Sequence, residues 1–191
     1  MRAGDVASVD QQEQGGAVVT VSDECFSIIV GNEGVLSLDP ADRGNYPSGR
    51  VGFGPLIGSK YGISAMSYPT LDIRNLTLDQ ARAIFERDYF NKIGCNKLPP
   101  PLALLLSDTE FNGGHPVQWL QEAVGVKRDG EIGPATLAAV AEHQGQGLRL
   151  LATYQAIRLR YMASLAGWSH NRGWADRLMI VLLAATQMRA A

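Results

Sequence analysis

Glu33 closes an apolar run containing Phe26, Ile28, Ile29 and Val30, and Gly34 follows it at once. Nine positions later stands Asp42, in the polar stretch Ser37-Leu38-Asp39-Pro40-Ala41-Asp42-Arg43-Gly44. After a glycine-rich excursion the chain reads Gly58-Ser59-Lys60-Tyr61-Gly62-Ile63-Ser64. A carboxylate at a helix end, a carboxylate on a loop and a small hydroxyl entering a strand suit acid–base cleavage of a glycosidic bond. One carboxyl donates a proton to the leaving oxygen. The other orients water or stabilises positive charge developing at the anomeric carbon. Spacing alone leaves the alternative open that Glu33 is only a solvated helix terminus.

The elements that must hold these residues are legible. Ser22 reads as an N-cap with Asp23 and Glu24 in the first turn, where the helix dipole favours acids. The helix is expected to run to about Asn32 and to end at Gly34, which sets Glu33 at the edge of a core helix. Residues 35–68 are rich in Gly and Pro and read as loop and short strand, with Val51-x-Phe53 and Tyr61-x-Ile63 as a small ribbon. Asn45 to Ile57 reads as an insertion between the loop carboxylate and the hydroxyl, placed to line or lid a groove. Thr77-Leu78-Asp79-Gln80 is a capping box before Ala81, Ile84, Phe85 and Tyr89 at helical spacing. Further helices are expected from Pro99, around Trp119 to Gly125, from Pro134, over about 148–165 and over about 172–188.

Bulk properties narrow the class. The chain has 191 residues, a net charge of -2 and 46% hydrophobic residues, which describes an ordinary globular protein with a real core. No basic face is forced, which argues against nucleic acid as a partner. The longest apolar run, Leu178 to Ala185, is far short of the ~18 residues that span a bilayer. Residues 1–20 are polar and aperiodic and read as a flexible arm, neither signal peptide nor anchor. Cys25 and Cys95 make no disulfide framework and read as free thiols, Cys25 as a small core residue rather than a nucleophile. His115, His143 and His170 lack metal-ligand spacing, so no metal or cofactor is expected and a zinc amidase is disfavoured.

The order Glu-Gly, Asp-x-Gly and Gly-Ser-Lys-Tyr-Gly-Ile-Ser resembles the glycoside hydrolase family 108 muramidases. The resemblance continues through Tyr68-Pro69, Leu71-Asp72-Ile73, Leu76-Thr77, Asp88-Tyr89, Leu98-Pro99 and Asn112-x-Gly114. The carboxyl half resembles a companion peptidoglycan-binding segment, in Trp119-Leu120-Gln121, Asp129-Gly130-x-Ile132-Gly133-Pro134 and Gly173-Trp174-x-x-Arg177. It implies a mainly α, lysozyme-like α+β fold: a helical body with a small β element at the active-site loop. It implies residues 21–115 as catalytic segment and residues 116–191 as a helical peptidoglycan-binding segment packed on the first. The implied reaction is hydrolysis of the β-1,4 bond between N-acetylmuramic acid and N-acetylglucosamine. Glu33 would be the general acid, Asp42 the ionised partner and Ser59 the water-orienting hydroxyl, at a position where the family has Thr. Tyr61 and Asn112 would touch substrate. The spacing from Glu33 to Asp42 is similar to that of phage lysozymes, which sets Asp42 ahead of Asp39, the rival loop carboxylate.

The implied partners are bacterial peptidoglycan and phage tail or virion proteins. An enzyme without a signal peptide would wait in the host cytoplasm until released to the wall, or travel in a virion. Two other readings remain: a non-catalytic wall-binding or virion structural protein on the same scaffold, and a lytic transglycosylase. Asp108 and Glu110 read as structural carboxylates, Asp129-Gly130 as a tight turn, and Tyr61 and Tyr68 as sugar-stacking or core aromatics.

Overall fold

The computed structural model describes residues 19–31, 35–165 and 172–188. Helix α1 (Val21–Val30) starts at Thr20, not at Ser22. Thr20 Oγ1 accepts from the Asp23 amide, and the Asp23 carboxylate accepts from the Thr20 amide, a reciprocal capping box. Thr20 therefore belongs to the folded body rather than to the arm. The helix ends at Gly31, whose amide bonds to Ser27 O, and not at Gly34. Glu33, expected within that helix end, lies outside the described residues, as does the arm through Val18.

The β element is a hairpin of β1 (Ser59–Lys60) and β2 (Ile63–Ser64), with Ser59 opposite Ser64 and Lys60 opposite Ile63. Tyr61 and Gly62 form its tip, both at positive φ (52° and 73°), the backbone that two-residue hairpin turns require. Gly62 is needed for a second reason: a Cβ there would lie 2.4 Å from the Phe111 ring. The ribbon expected at Val51 and Phe53 is absent; both are exposed in successive turns. Brief alternation there reflects turn residues facing solvent, with no partner strand to pair.

Thr77 caps α2 (Leu78–Phe85) through the expected box with Gln80. The helix then widens into a π-helical segment, Glu86–Asn91. Phe90 is buried there, and Tyr89 meets Phe111 edge to face at 4.8 Å. Phe85 joins Phe26 of α1 at 5.5 Å and Phe111 at 5.7 Å, so one aromatic cluster fastens three helices.

Helix α3 (Pro100–Asn112) is the centre of the body. Every residue from Leu102 to Thr109 is buried, as befits a helix surrounded by others. Helices α1, α4 (Pro116–Val124), α6 (Gly147–Ala163) and α7 (Arg172–Gln187) pack against it. Helix α5 (Pro134–Glu142) packs on α4. Gly125 and Pro134 end α4 and begin α5 as their types suggest. The result is an α+β fold, mainly helical, with one small two-stranded sheet among the described residues.

One charged cluster crosses the interior. Asp108 of α3, wholly buried, accepts from Arg158 Nη1 at 2.5 Å and from Arg177 Nε and Nη2 at 2.9 and 2.5 Å. Arg177 Nη2 also reaches Ile29 O at 3.3 Å. The carboxylate thus joins α3 to α6 and α7, and Arg177 carries the tie to the last turn of α1.

Candidate active site

The loop after α1 is built on aspartate turns. Asp39 Oδ1 accepts from Ala41 N at 2.9 Å, and Asp42 Oδ1 accepts from Gly44 N at 2.8 Å. Each carboxylate thus supplies the side-chain acceptor that starts a turn. Asp42 caps the short 3-10 turn Arg43–Asn45 and is exposed. Its Oδ2 makes no hydrogen bond among the described residues. One oxygen therefore fixes the carboxylate and the other is open. Asp39 has the same local role, so the turn geometry does not by itself rank the two.

Asn45 joins this loop to the hairpin. Its side chain is buried, and Nδ2 donates to Asp39 O at 3.0 Å. Its backbone O accepts from Ile57 N and Gly58 N at 3.0 and 3.1 Å. Met66 N closes on Gly44 O from the far side of the hairpin. Asn45 is thus the neck of the expected insertion rather than its first free residue. Nothing in its sequence context distinguishes it, because the partners lie on another segment.

Ser59 sits at the other side of that neck. Its N and O pair with Ser37 O and N at 3.0 and 2.8 Å, so the chain leaving Val35 runs beside β1. Gly58 permits the crossing: a Cβ there would meet Ser37 O at 2.6 Å. Ser59 is half-buried, and its hydroxyl has no hydrogen-bond partner among the described residues. The structure therefore brings Asp42 and Ser59 to opposite sides of one hydrogen-bonded neck. Ser37, which bridges Ser59, is four residues downstream of Glu33.

The remaining expected contacts are dispersed. Tyr61 is half-buried against the core, with Lys60 Nζ 5.5 Å from its ring centroid. Asn112 is exposed at the end of α3, and its Nδ2 turns back to Asp108 O at 2.9 Å. It lines a separate cavity of about 130 Å³ with Arg158, Tyr161, Trp174 and Arg177. The hairpin tip still touches α3, through Phe111 beside Asn112.

Several alternatives find ordinary structural roles. Tyr68 Oη donates to Asp88 Oδ2 at 2.7 Å, and burial first, then its hydroxyl and carboxylate neighbours, push its pKa up. Glu110 pairs with Lys92 at 3.2 Å. The Asp129-Gly130 turn is held by buried Gln121, whose Oε1 accepts from Gly130 N and whose Nε2 donates to Asp129 Oδ1. That is a structural staple. Cys25 and Cys95 are buried free thiols, and burial pushes Cys25 up to about 12, so it stays protonated at neutral pH. His115 packs its ring on Trp119 and Tyr161, and His170 lies outside the described residues.

Residues 26–114 match the model of the family described as Glycosyl hydrolase 108. Residues 115–179 match a family described as Predicted Peptidoglycan domain. The buried Asp108–Arg158–Arg177 cluster spans the two. Among solved structures, that of Brucella abortus SagA is similar at 25% identity, over 86% of this chain and 93% of that one, with a TM-score of 0.69. No curated protein matches the sequence significantly.

Proposed function

We propose that this chain, which matches glycosyl hydrolase 108 over residues 26–114 and a peptidoglycan domain over residues 115–179, is a peptidoglycan-related glycoside hydrolase, and specifically an N-acetylmuramidase. The bond cleaved is the β-1,4 link between N-acetylmuramic acid and N-acetylglucosamine. Glu33 donates a proton to the leaving oxygen. Asp42, on its polar turn, is the carboxylate that faces the anomeric carbon. Ser59 orients the attacking water. The likeness of its motifs to phage lysis enzymes supports a phage-type role in wall degradation, with delivery to the wall by a pore or a virion.

The observation that carries this reading is the neck at Asn45. Asn45, three residues after Asp42, accepts from the amide of Gly58, the neighbour of Ser59; Asp42 keeps one oxygen open, and the Ser59 hydroxyl has no partner among the described residues.

Substitution separates charge from turn formation. Asn can keep the bond to Gly44 N that Asp42 makes, and equally the bond to Ala41 N that Asp39 makes. Asp42→Asn therefore removes charge alone and is expected to lower wall-lytic turnover by about 10²-fold. Asp39→Asn is expected to leave it nearly unchanged. Turbidity loss of a peptidoglycan suspension is the measurement. A dead Asp39→Asn with an active Asp42→Asn reverses the assignment.

Ser59 is open to a test that leaves the strand intact, because its backbone makes the pairing. Ser59→Ala is expected to slow turnover about tenfold or more, through loss of a hydrogen bond to water. Ser59→Thr is expected to keep or raise it, since the added methyl restricts the rotamer. Equal rates for all three proteins would remove Ser59 from the mechanism.

A further inference from the structure

Between Asp42 and Ser59 the chain makes an excursion, residues 46–56, that returns to its own base. Ile57 N and Gly58 N both bond to Asn45 O, so the excursion leaves and re-enters at Asn45, three residues after Asp42 and at the neighbour of Ser59. Its root is fixed: Tyr46 is buried and donates its hydroxyl to Pro40 O at 3.0 Å. Its tip is fixed too. Phe53 N bonds to Arg50 O, Ser48 Oγ donates to Phe53 O at 2.6 Å, and Arg50 N donates to Ser48 Oγ at 3.3 Å.

What this scaffold presents is unusual for a solvated turn. Phe53 is 61% exposed and Val51 55%, so neither serves the core. Arg50 lies over the Phe53 ring, with Cζ 4.6 Å from its centroid. Among the described residues the Arg50 guanidinium has no hydrogen bond and no ion pair, and all its donors remain available. An aromatic face and an unpaired guanidinium, stacked and locked by backbone bonds, form a platform with a hydrophobic part and an anion-binding part. Both parts lose little rotamer freedom on binding, because the stack already orders them.

We propose that Arg50 and Phe53 form a substrate subsite for a glycan strand bearing peptide stems. Phe53, with Val51 beside it, takes the apolar face of a sugar ring next to the cleaved bond. Arg50 takes a carboxylate of the peptide stem carried by the neighbouring muramic acid, in the two-pronged geometry that guanidinium favours. This rests on the muramidase reading for its ligand. The loop sets affinity and the choice of stem-bearing strands, and it contributes nothing to the chemical step.

The test is calorimetric binding of two probes to the full chain. One is soluble peptidoglycan fragments with intact stems; the other is the same fragments stripped of stems by an amidase. Phe53→Ala is expected to weaken both about tenfold, and Phe53→Trp to restore binding. Arg50→Gln is expected to weaken only the stem-bearing probe, again about tenfold, and to leave the stripped probe unchanged. In turbidity assays the same variants are expected to raise KM and leave kcat in place. Unchanged affinity in both variants, or a loss in Arg50→Gln equal for both probes, overturns the subsite. Absence of lysis by the wild type with these binding differences intact defeats the enzymatic reading and leaves the subsite standing.

Discussion

Glu33→Gln is expected to lower lytic turnover by at least about 10²-fold while the protein keeps its fold. The glutamine amide matches the carboxyl in shape and cannot release a proton to the departing sugar oxygen. The described segments on either side of position 33 are anchored. Helix α1 ends at Gly31, and Arg177 holds the Ile29 carbonyl in its last turn. On the far side, Ser37 is paired to Ser59 by two backbone bonds. Substitution at 33 therefore leaves the flanking tethers intact, and circular dichroism of the variant is expected to match the wild type. Normal lysis by this folded variant would remove Glu33 as the acid.

The second large effect is on stability. Asp108→Asn is expected to cost about 3–5 kcal/mol, because it leaves Arg158 buried without its counter-charge and loosens Arg177. For a chain of this size that loss lowers the melting temperature on the order of 10 °C. Removing one member of a buried cluster is worse than never having it, since the desolvation of the survivors is no longer offset. Arg158 already has Nε and Nη2 without partners, so the cluster has no reserve. Arg177, which pairs with Asp108, also donates to Ile29 O, four residues before the proposed acid Glu33. The segment that matches the peptidoglycan family, which supplies Arg158 and Arg177, thus helps hold the end of α1. Thermal melting followed by circular dichroism checks it, and a melting point equal to wild type would show that the cluster carries little of the fold's stability.

The helices were the most legible part of the molecule, because their signals are local. Thr77 with Gln80, Gly125 after Val124 and Pro134 before α5 each act within one turn. The misplacements are also local. Thr20 and Ser22 are both hydroxyl residues, and Asp23 decides between them by sitting three positions after Thr20. Gly31 and Gly34 are both able to end a helix, and the chain uses the first. What stayed hidden depends on residues distant in sequence. Asp108 finds Arg158 and Arg177 on two later helices, Gln121 finds the turn at Asp129, and Asn45 closes on Ile57 and Gly58. The π-helical segment at Glu86–Asn91 has no compositional mark, since packing Phe85, Tyr89, Phe90 and Phe111 together is a tertiary event.

The site divides in the same way. The order of Glu33, Asp42 and Ser59, the proposed catalytic set, is readable because glycosidic cleavage calls for those types. Asp39 as a turn former is readable from its place before Pro40. That Asp42 makes the same kind of turn, through Gly44 N, is not, and neither is the platform of Arg50 and Phe53, where pairing arises from the fold of an exposed loop.

The proposed reaction is hydrolysis at the anomeric carbon of N-acetylmuramic acid. Digestion of purified peptidoglycan in water enriched in oxygen-18, followed by mass spectrometry of the fragments, tests it most directly. The expected fragments end in reducing N-acetylmuramic acid that carries the heavy oxygen at C1. Unlabelled 1,6-anhydro ends, the product of internal attack without water, or label at N-acetylglucosamine ends, would contradict it.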